Sequence, residues 1–133
     1  MQKSQTILYL DDNKDHRDLL KFLFEDDGYN ILTCEGIENC FDYLVEYPVS
    51  VIVMDYWIEG LEALEISKKI KLLYPHIPFF YFTGDAQKKS REKGMQSGAQ
   101  GYLLKPDDLN NIVPLIGRFL ETYRQCTAGH RQM

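Results

Sequence analysis

Short apolar runs alternate with longer amphipathic stretches along nearly the whole chain, and that alternation leaves few folds open. The apolar runs are Ile7 to Leu10, Ile31 to Thr33, Val49 to Met54, Ile77 to Phe82 and Gly101 to Leu104. Each has the length of a strand, and the third and fourth are almost continuously apolar, as parallel strands covered on both faces are. Between them apolar residues return at helical spacing: Leu19, Leu20, Leu23 and Phe24 before Gly28, then Ile37, Phe41, Leu44 and Val45 before Pro48, then Ala63, Ile66, Ile70 and Leu73 before Pro75. Asp85 to Ser97 carries Lys88, Lys89, Arg91 and Lys93 but little that is apolar beyond Ala86 and Met95, which predicts a weakly anchored, mobile fourth helix. The last helix reads from Leu109 through Tyr123, and Pro114 inside it should kink or delay it by removing a hydrogen bond. The pattern predicts an α/β fold: a doubly wound, five-stranded parallel sheet of order 2-1-3-4-5, with right-handed crossovers and helices on both faces.

The chain has 133 residues, which suits one domain with a core of its own, predicted over 1–125 with a short polar tail at 126–133. A hydrophobic fraction of 44% with 26% charged residues excludes the composition of a disordered chain. No apolar run approaches the roughly 20 residues that span a bilayer, and the polar start Met1-Gln2-Lys3-Ser4-Gln5 lacks a signal-peptide core, so a cytoplasmic protein without membrane contact is expected. Cys34, Cys40 and Cys126 have neither disulfide nor zinc spacing and read as reduced thiols, two of them packed. The net charge of −5 argues against direct nucleic acid binding, which normally shows as a basic surplus.

Ligands of such sheets bind outside the carboxyl ends of the strands. Four of the five predicted strands end there in a residue able to do phosphate or metal chemistry: Asp11-Asp12, Asp55, Thr83 and Lys105. Each has an ordinary explanation alone. Asp12 and Asn13 could cap the first helix, Asp55 could be a turn residue, Thr83-Gly84-Asp85 makes an acceptable turn and cap, and Lys105 could be an exposed lysine before a proline. These do not explain the joint placement, each residue at the tip of its own strand, and the set favours a single cleft. Three acids suit Mg²⁺, which takes oxygen ligands, keeps waters and is held by one or two carboxylates plus phosphate oxygens. An ionised carboxylate beside such an ion can attack phosphorus and become an aspartyl phosphate, while an ammonium and a hydroxyl neutralise the transferred oxygens.

Asp11-Asp12, Met54-Asp55, Phe82-Thr83-Gly84 and Gly98-Ala99-Gln100-Gly101-Tyr102-Leu103-Leu104-Lys105-Pro106 resemble the receiver domain of two-component response regulators, over nearly the whole chain. The resemblance implies a phosphoacceptor signalling module. Asp55 would be the phosphoacceptor, Asp12 would bind Mg²⁺ directly and Asp11 largely through water, and the Trp57 carbonyl would be a further ligand. Lys105 would pair with the phosphoryl group, Thr83 would hydrogen-bond it, Tyr102 would be the aromatic that turns inward, and the Lys105-Pro106 peptide would be cis. The implied partners are a histidine kinase or phosphotransfer protein as donor, a downstream protein, and a second copy in a homodimer through the face of the fourth and fifth helices. With no output domain encoded after residue 125, signal would leave through the module's own surface or by onward phosphotransfer, unless the chain is a fragment of a longer regulator.

The chain departs from the family after Asp55, where Tyr56-Trp57-Ile58-Glu59-Gly60 reaches its glycine early and has no proline. Trp57 and Asp85, two residues past Asp55 and Thr83, would flank the acyl phosphate, so Trp57 either shields it from water or packs as a half-exposed aromatic. Crowding of the three acids predicts that at least one has a raised pKa without metal. His16, His76 and His130 share no spacing and read as surface residues, and the basic run Lys88 to Lys93 reads as a solvated face or a docking face for acidic partners. Two other functions fit less well. An aspartyl-nucleophile Mg²⁺ phosphatase would place an acid where Trp57 stands, and a flavodoxin-like cofactor binder would need a glycine- and hydroxyl-rich loop where Asp11 to Asp15 lie. A degenerate receiver acting as an interaction module without phosphorylation would more often have lost one of the five site residues.

Overall fold

The computed structural model describes residues 5–131, with side chains as far as 123. The elements in chain order are β1 (Thr6–Leu10), α1 (Lys14–Asp26), β2 (Asn30–Cys34), α2 (Ile37–Glu46), β3 (Val51–Met54), β4 (Trp57–Ile58), β5 (Leu61–Glu62), α3 (Leu64–Leu73), β6 (Phe79–Thr83), α4 (Lys88–Gln96), β7 (Tyr102–Leu104) and α5 (Ile112–Arg131). β2-β1-β3-β6-β7 form one parallel sheet, which is the predicted order 2-1-3-4-5 once β4 and β5, a separate two-stranded antiparallel hairpin, are left out of the count.

The sheet's two faces follow from the period of two along each strand. Leu8 and Leu10 of β1, Ile52 and Met54 of β3, and Phe79 and Tyr81 of β6 face a core closed by Cys40 and Leu44 of α2 and Ile66 and Ile70 of α3. Their neighbours Ile7, Tyr9, Val51, Val53, Phe80 and Phe82 face the opposite core, closed by Leu20 and Phe24 of α1 and by Ile112, Ile116 and Leu120 of α5. Each large side chain so buried contributes about 1.5 to 3 kcal/mol. Cys34 and Cys40 lie in the core as free thiols.

Two details of the helices bear on the site. Asn13, not Asp12, caps α1 by accepting from the His16 N–H at 3.1 Å, which leaves the Asp12 carboxylate free for other contacts. α5 starts at Ile112, later than the Leu109 predicted, and so places Pro114 in the first turn, where no intrahelical N–H is needed. Its helical backbone continues through Arg131 into the segment expected to be a tail. Residues 132 and 133 and the side chains of Cys126 and His130 lie outside the described residues.

α4 is anchored by small residues. Ser90 and Gly94 are buried on its inner side, and a methyl group on Gly94 would stand 3.1 Å from both the Tyr81 and the Tyr102 rings. The helix therefore lies against aromatic faces with no room for a side chain, an anchor that a search for apolar residues overlooks.

Candidate functional site

β1, β3, β6 and β7 lie side by side in register, so residues that follow their last positions meet at one edge. Asp11, at the tip of β1, is fully buried. Its Oδ1 accepts from the Asn13 N–H at 2.9 Å, and its Oδ2 accepts from the Tyr9 hydroxyl at 2.5 Å and the Lys105 ammonium at 2.6 Å. Arg17 ties down the Asp11 carbonyl at 2.9 Å. The same ammonium reaches Asp55 Oδ2 at 2.9 Å, so Lys105 bridges the two acids across the neighbouring strand tips. The Lys105-Pro106 peptide is cis, as the resemblance implies.

This bridge sets the electrostatics of Asp11, which is not an acid with a raised pKa. Burial alone would raise its carboxyl, but the hydrogen bonds from Lys105, Tyr9 and Asn13 and the lysine's charge outweigh burial and hold it below the usual range. Repulsion among acids does not dominate there because a cation stands between two of them. The cost of burial falls on Tyr9 instead, whose hydroxyl is pushed up by desolvation and by the negative charge of Asp11.

The chain after Asp55 forms the β4–β5 hairpin in place of an open loop. Its turn is Glu59 at φ +54° and Gly60 at φ +78°, two left-handed residues in succession, the geometry that joins strands by a two-residue turn. The Tyr56 carbonyl accepts from the Ala63 N–H at 2.7 Å, which makes the next pair, Trp57 and Glu62, the one without mutual hydrogen bonds. The backbone groups of Trp57 therefore turn away from Glu62, and its N–H donates to Asp55 Oδ1 at 3.2 Å. At the turn, the Glu59 N–H donates to Asp12 Oδ2 at 2.8 Å. The short loop is thus fixed to two of the acids by its own backbone.

Asp85 connects this hairpin to the other side of the cleft. Its Oδ2 accepts from the Trp57 indole N–H at 2.7 Å and from the Ser90 hydroxyl at 2.6 Å, its Oδ1 accepts from the Gln87 N–H at 2.9 Å, and its carbonyl accepts from the Tyr102 hydroxyl at 2.7 Å. Burial opposes ionisation of Asp85, yet the bonds from Ser90, Trp57 and Gln87 hold its pKa below the ordinary value. Thr83 is buried, and its hydroxyl accepts from the Asp85 N–H at 3.3 Å. Tyr102 is buried beneath the loop, its ring against Tyr56 and Tyr81 with centroids 5.9 and 6.0 Å away. Trp57 itself is 43% exposed.

The seven residues singled out from sequence are therefore linked, directly, through Asp85 or, for Asp12, through the Glu59 N–H of the hairpin. His16, expected at the surface, keeps 43% of its side chain exposed, but its Nδ1 also lies 2.9 Å from the Lys105 ammonium and 3.5 Å from Asp11 Oδ2. The signal was its place in the first turn of α1, which starts directly after the acidic pair at the tip of β1. Tyr9 was missed as well, although it stands two residues before Asp11 and so on the same side of β1.

The oxygen donors suit a hard divalent ion that keeps its own waters. Asp12 is exposed, Asp55 is partly exposed, and both carboxylates reach solvent at the cleft, while the oxygens of Asp11 are already engaged by three donors. Among the described residues no three acids or imidazoles stand close enough to form a ready-made cage. Two carboxylates with water completing the shell is the Mg²⁺ habit, whereas zinc or calcium would need a fuller protein shell.

A doubly wound sheet whose carboxyl edge gathers three acids, a hydroxyl and a lysine belongs to the class of α/β modules that bind ligands at their strand tips. Comparison with known proteins narrows the class. The sequence model of the response regulator receiver domain matches residues 7–116, and the chain belongs to that family. A putative NtrX-like response regulator of Rickettsia bellii is 28% identical over 117 residues, 86% of this chain but 24% of that protein. An uncharacterised 14.6 kDa protein of Leptolyngbya boryana is 26% identical over 115 residues, covering 85% of this chain and 88% of its own length. The fold is also that of a CheY-like receiver domain protein from Methanospirillum hungatei, at a TM-score of 0.84 and 20% identity over 92% of this chain and 98% of that one. The chain thus spans about a quarter of the length of the NtrX-like relatives it matches. Among the described residues no helix is long and apolar enough to cross a membrane.

Proposed function

We propose that the chain is a phosphoacceptor signalling module in which Asp55 takes a phosphoryl group from the phosphohistidine of a histidine kinase or phosphotransfer protein. The observation that carries this reading is the Lys105 ammonium held between Asp11 and Asp55 at 2.6 and 2.9 Å, a cation placed where charge on transferred oxygens would develop. An Asp55 carboxylate oxygen attacks phosphorus, the phosphorus–nitrogen bond breaks, and the imidazole leaves with the bonding pair. Lys105 then passes from the carboxylate to a phosphoryl oxygen without leaving Asp11. Asp12 and Asp55 would hold Mg²⁺, with Asp11 acting through water and the Trp57 carbonyl as a further ligand. The turn of the Trp57 backbone away from Glu62 supports that last role. When bound, the ion neutralises negative charge on the phosphoryl oxygens.

The switch in this reading is the Thr83 hydroxyl. It leaves the Asp85 N–H for a phosphoryl oxygen, the β6–α4 loop follows, and the bond from Tyr102 to the Asp85 carbonyl is lost or redrawn. The face of α4, β7 and α5 then presents a changed surface to a downstream protein or a second copy. The module acts by accepting and slowly losing the phosphoryl group, not by turning over a substrate. Incubation with acetyl phosphate and Mg²⁺ followed by intact mass tests the reading. One phosphoryl group on the wild type and none on Asp55→Asn is expected, and an adduct on both or on neither refutes it.

A further inference from the structure

We propose that His16 is a positioning residue of the phosphorylation site, acting through Lys105. The inference rests on the reading just given. An ammonium has three N–H donors and no acceptor. At Lys105 all three are taken: Asp11 Oδ2 at 2.6 Å, Asp55 Oδ2 at 2.9 Å and His16 Nδ1 at 2.9 Å. The lysine side chain is only 12% exposed, and the Phe82 ring lies beneath its ammonium with the centroid at 5.6 Å.

Three acceptors from three elements, the β1 tip, the turn after β3 and the first turn of α1, fix rotation about the last bond of the lysine as well as its position. With His16 in place, two N–H groups meet Asp11 and His16, and the third can only point at Asp55. Without it, the ammonium could rotate its third donor to water, and the N–H facing the incoming phosphoryl group would have to be ordered during the reaction. Catalysis by a prepositioned charge depends on having met that ordering beforehand.

The chemistry also fixes the tautomer. Because the ammonium can only donate, Nδ1 accepts, and the ring carries its proton on Nε2. The inner edge of the ring meets Lys105 beside an apolar hollow of about 100 Å³ formed with Leu19, Leu20, Phe82, Pro106 and Leu109. Asn13, which accepts from the His16 backbone N–H at 3.1 Å, holds the start of the helix that carries the ring.

Two measurements test this. A long-range ¹H–¹⁵N spectrum of the unphosphorylated protein, with the His16 signal assigned by its loss in His16→Asn, is expected to show the Nε2–H tautomer, and the Nδ1–H tautomer overturns the proposal. The second is the rate of Asp55 phosphorylation by phosphoramidate at saturating Mg²⁺. His16→Leu, which removes the acceptor, should lower the maximal rate about tenfold, as loss of one hydrogen bond to a charged group does, with little change in the donor's KM. His16→Asn, whose side-chain oxygen can occupy the place of Nδ1, should recover most of the rate. In a Lys105→Met background, His16→Leu should have no further effect. A His16→Leu protein as fast as wild type, or a His16→Asn protein as slow as His16→Leu, overturns the proposal. A wild type that accepts no phosphoryl group at all would instead refute the proposed function, and the tautomer would still decide the bond between His16 and Lys105.

Discussion

Lys105→Met removes the ammonium that touches Asp11 at 2.6 Å and Asp55 at 2.9 Å while keeping the length and apolar character of the side chain. Asp11 is then left as a fully buried carboxylate with the Tyr9 hydroxyl and the Asn13 N–H as remaining hydrogen-bond donors and the His16 ring 3.5 Å away. Breaking one side of a buried pair costs about 3 to 5 kcal/mol. The two surviving hydrogen bonds place the expected loss near the lower end, about 3 kcal/mol, or roughly 10 °C in melting temperature for a domain of this size. The pH dependence gives a sharper test than the size. In the wild type the Asp11 pKa is lowered, so its contribution is present above the unfolded value near 4 and is lost as pH falls below it. In the variant the burial that opposes ionisation is no longer outweighed, so the pKa rises and the sign reverses. Relative to wild type, the variant should be least stable at neutral pH and recover on acidification as Asp11 takes a proton. Urea unfolding followed by far-ultraviolet circular dichroism between pH 5 and 8 reads both quantities. A Lys105→Met protein within 1 kcal/mol of wild type at pH 7.5, roughly the worth of an exposed ion pair, with an unchanged pH slope would refute the reasoning.

Trp57→Asn should shorten the phosphoryl lifetime several-fold in an acid-quench time course if the bulky indole, held by Asp85 at 2.7 Å on the residue whose N–H meets Asp55, restricts water, and an equal or longer lifetime counts against shielding. Gly94→Ala should destabilise the fold by about 1 to 3 kcal/mol in a urea titration, since its methyl group would meet the Tyr81 and Tyr102 rings at 3.1 Å. Burial pushes the hydroxyls of Tyr9, Tyr56, Tyr81 and Tyr102 up. The stability they confer is therefore full below the unfolded tyrosine value near 10 and is lost above it, by about 1.4 kcal/mol per pH unit for each tyrosine that ionises only on unfolding. Denaturation profiles from pH 9 to 12, with tyrosinate absorbance as the probe, should show this fall, and a flat profile contradicts it.

The sheet was legible because burial on both faces writes itself into sequence as apolar runs. Ile7 and Tyr9 go to one core and Leu8 and Leu10 to the other, yet all four had to be apolar, so the run betrays the strand. Site residues that follow strand ends were legible for a related reason: parallel register brings strand tips together, so Asp11, Asp55, Thr83 and Lys105 were neighbours as soon as the sheet was. Contacts made across elements were not. His16 reaches Lys105 only because α1 and the turn after β7 close on each other, and Asp85 collects Trp57, Ser90 and Tyr102 from three separate segments. The anchor of α4 was hidden because it rests on a glycine and a serine, residues chosen for what they leave out. The short stretch after Asp55 could have been read further. Trp57-Ile58 and Leu61-Glu62 flank Glu59-Gly60 as a hairpin would, but four paired residues are too few to stand out from a loop without the Tyr56 to Ala63 bond beside them.

The most direct test of where phosphorus goes is chemical reduction of the phosphoprotein. Borohydride converts an aspartyl phosphate to homoserine at the same position, and peptide sequencing by tandem mass spectrometry then reads which residue carried it. Homoserine at position 55 is predicted, present only after treatment with phosphodonor and Mg²⁺. Conversion at Asp11, Asp12 or Asp85 instead, or a phosphorylated protein that yields no homoserine, would contradict the account.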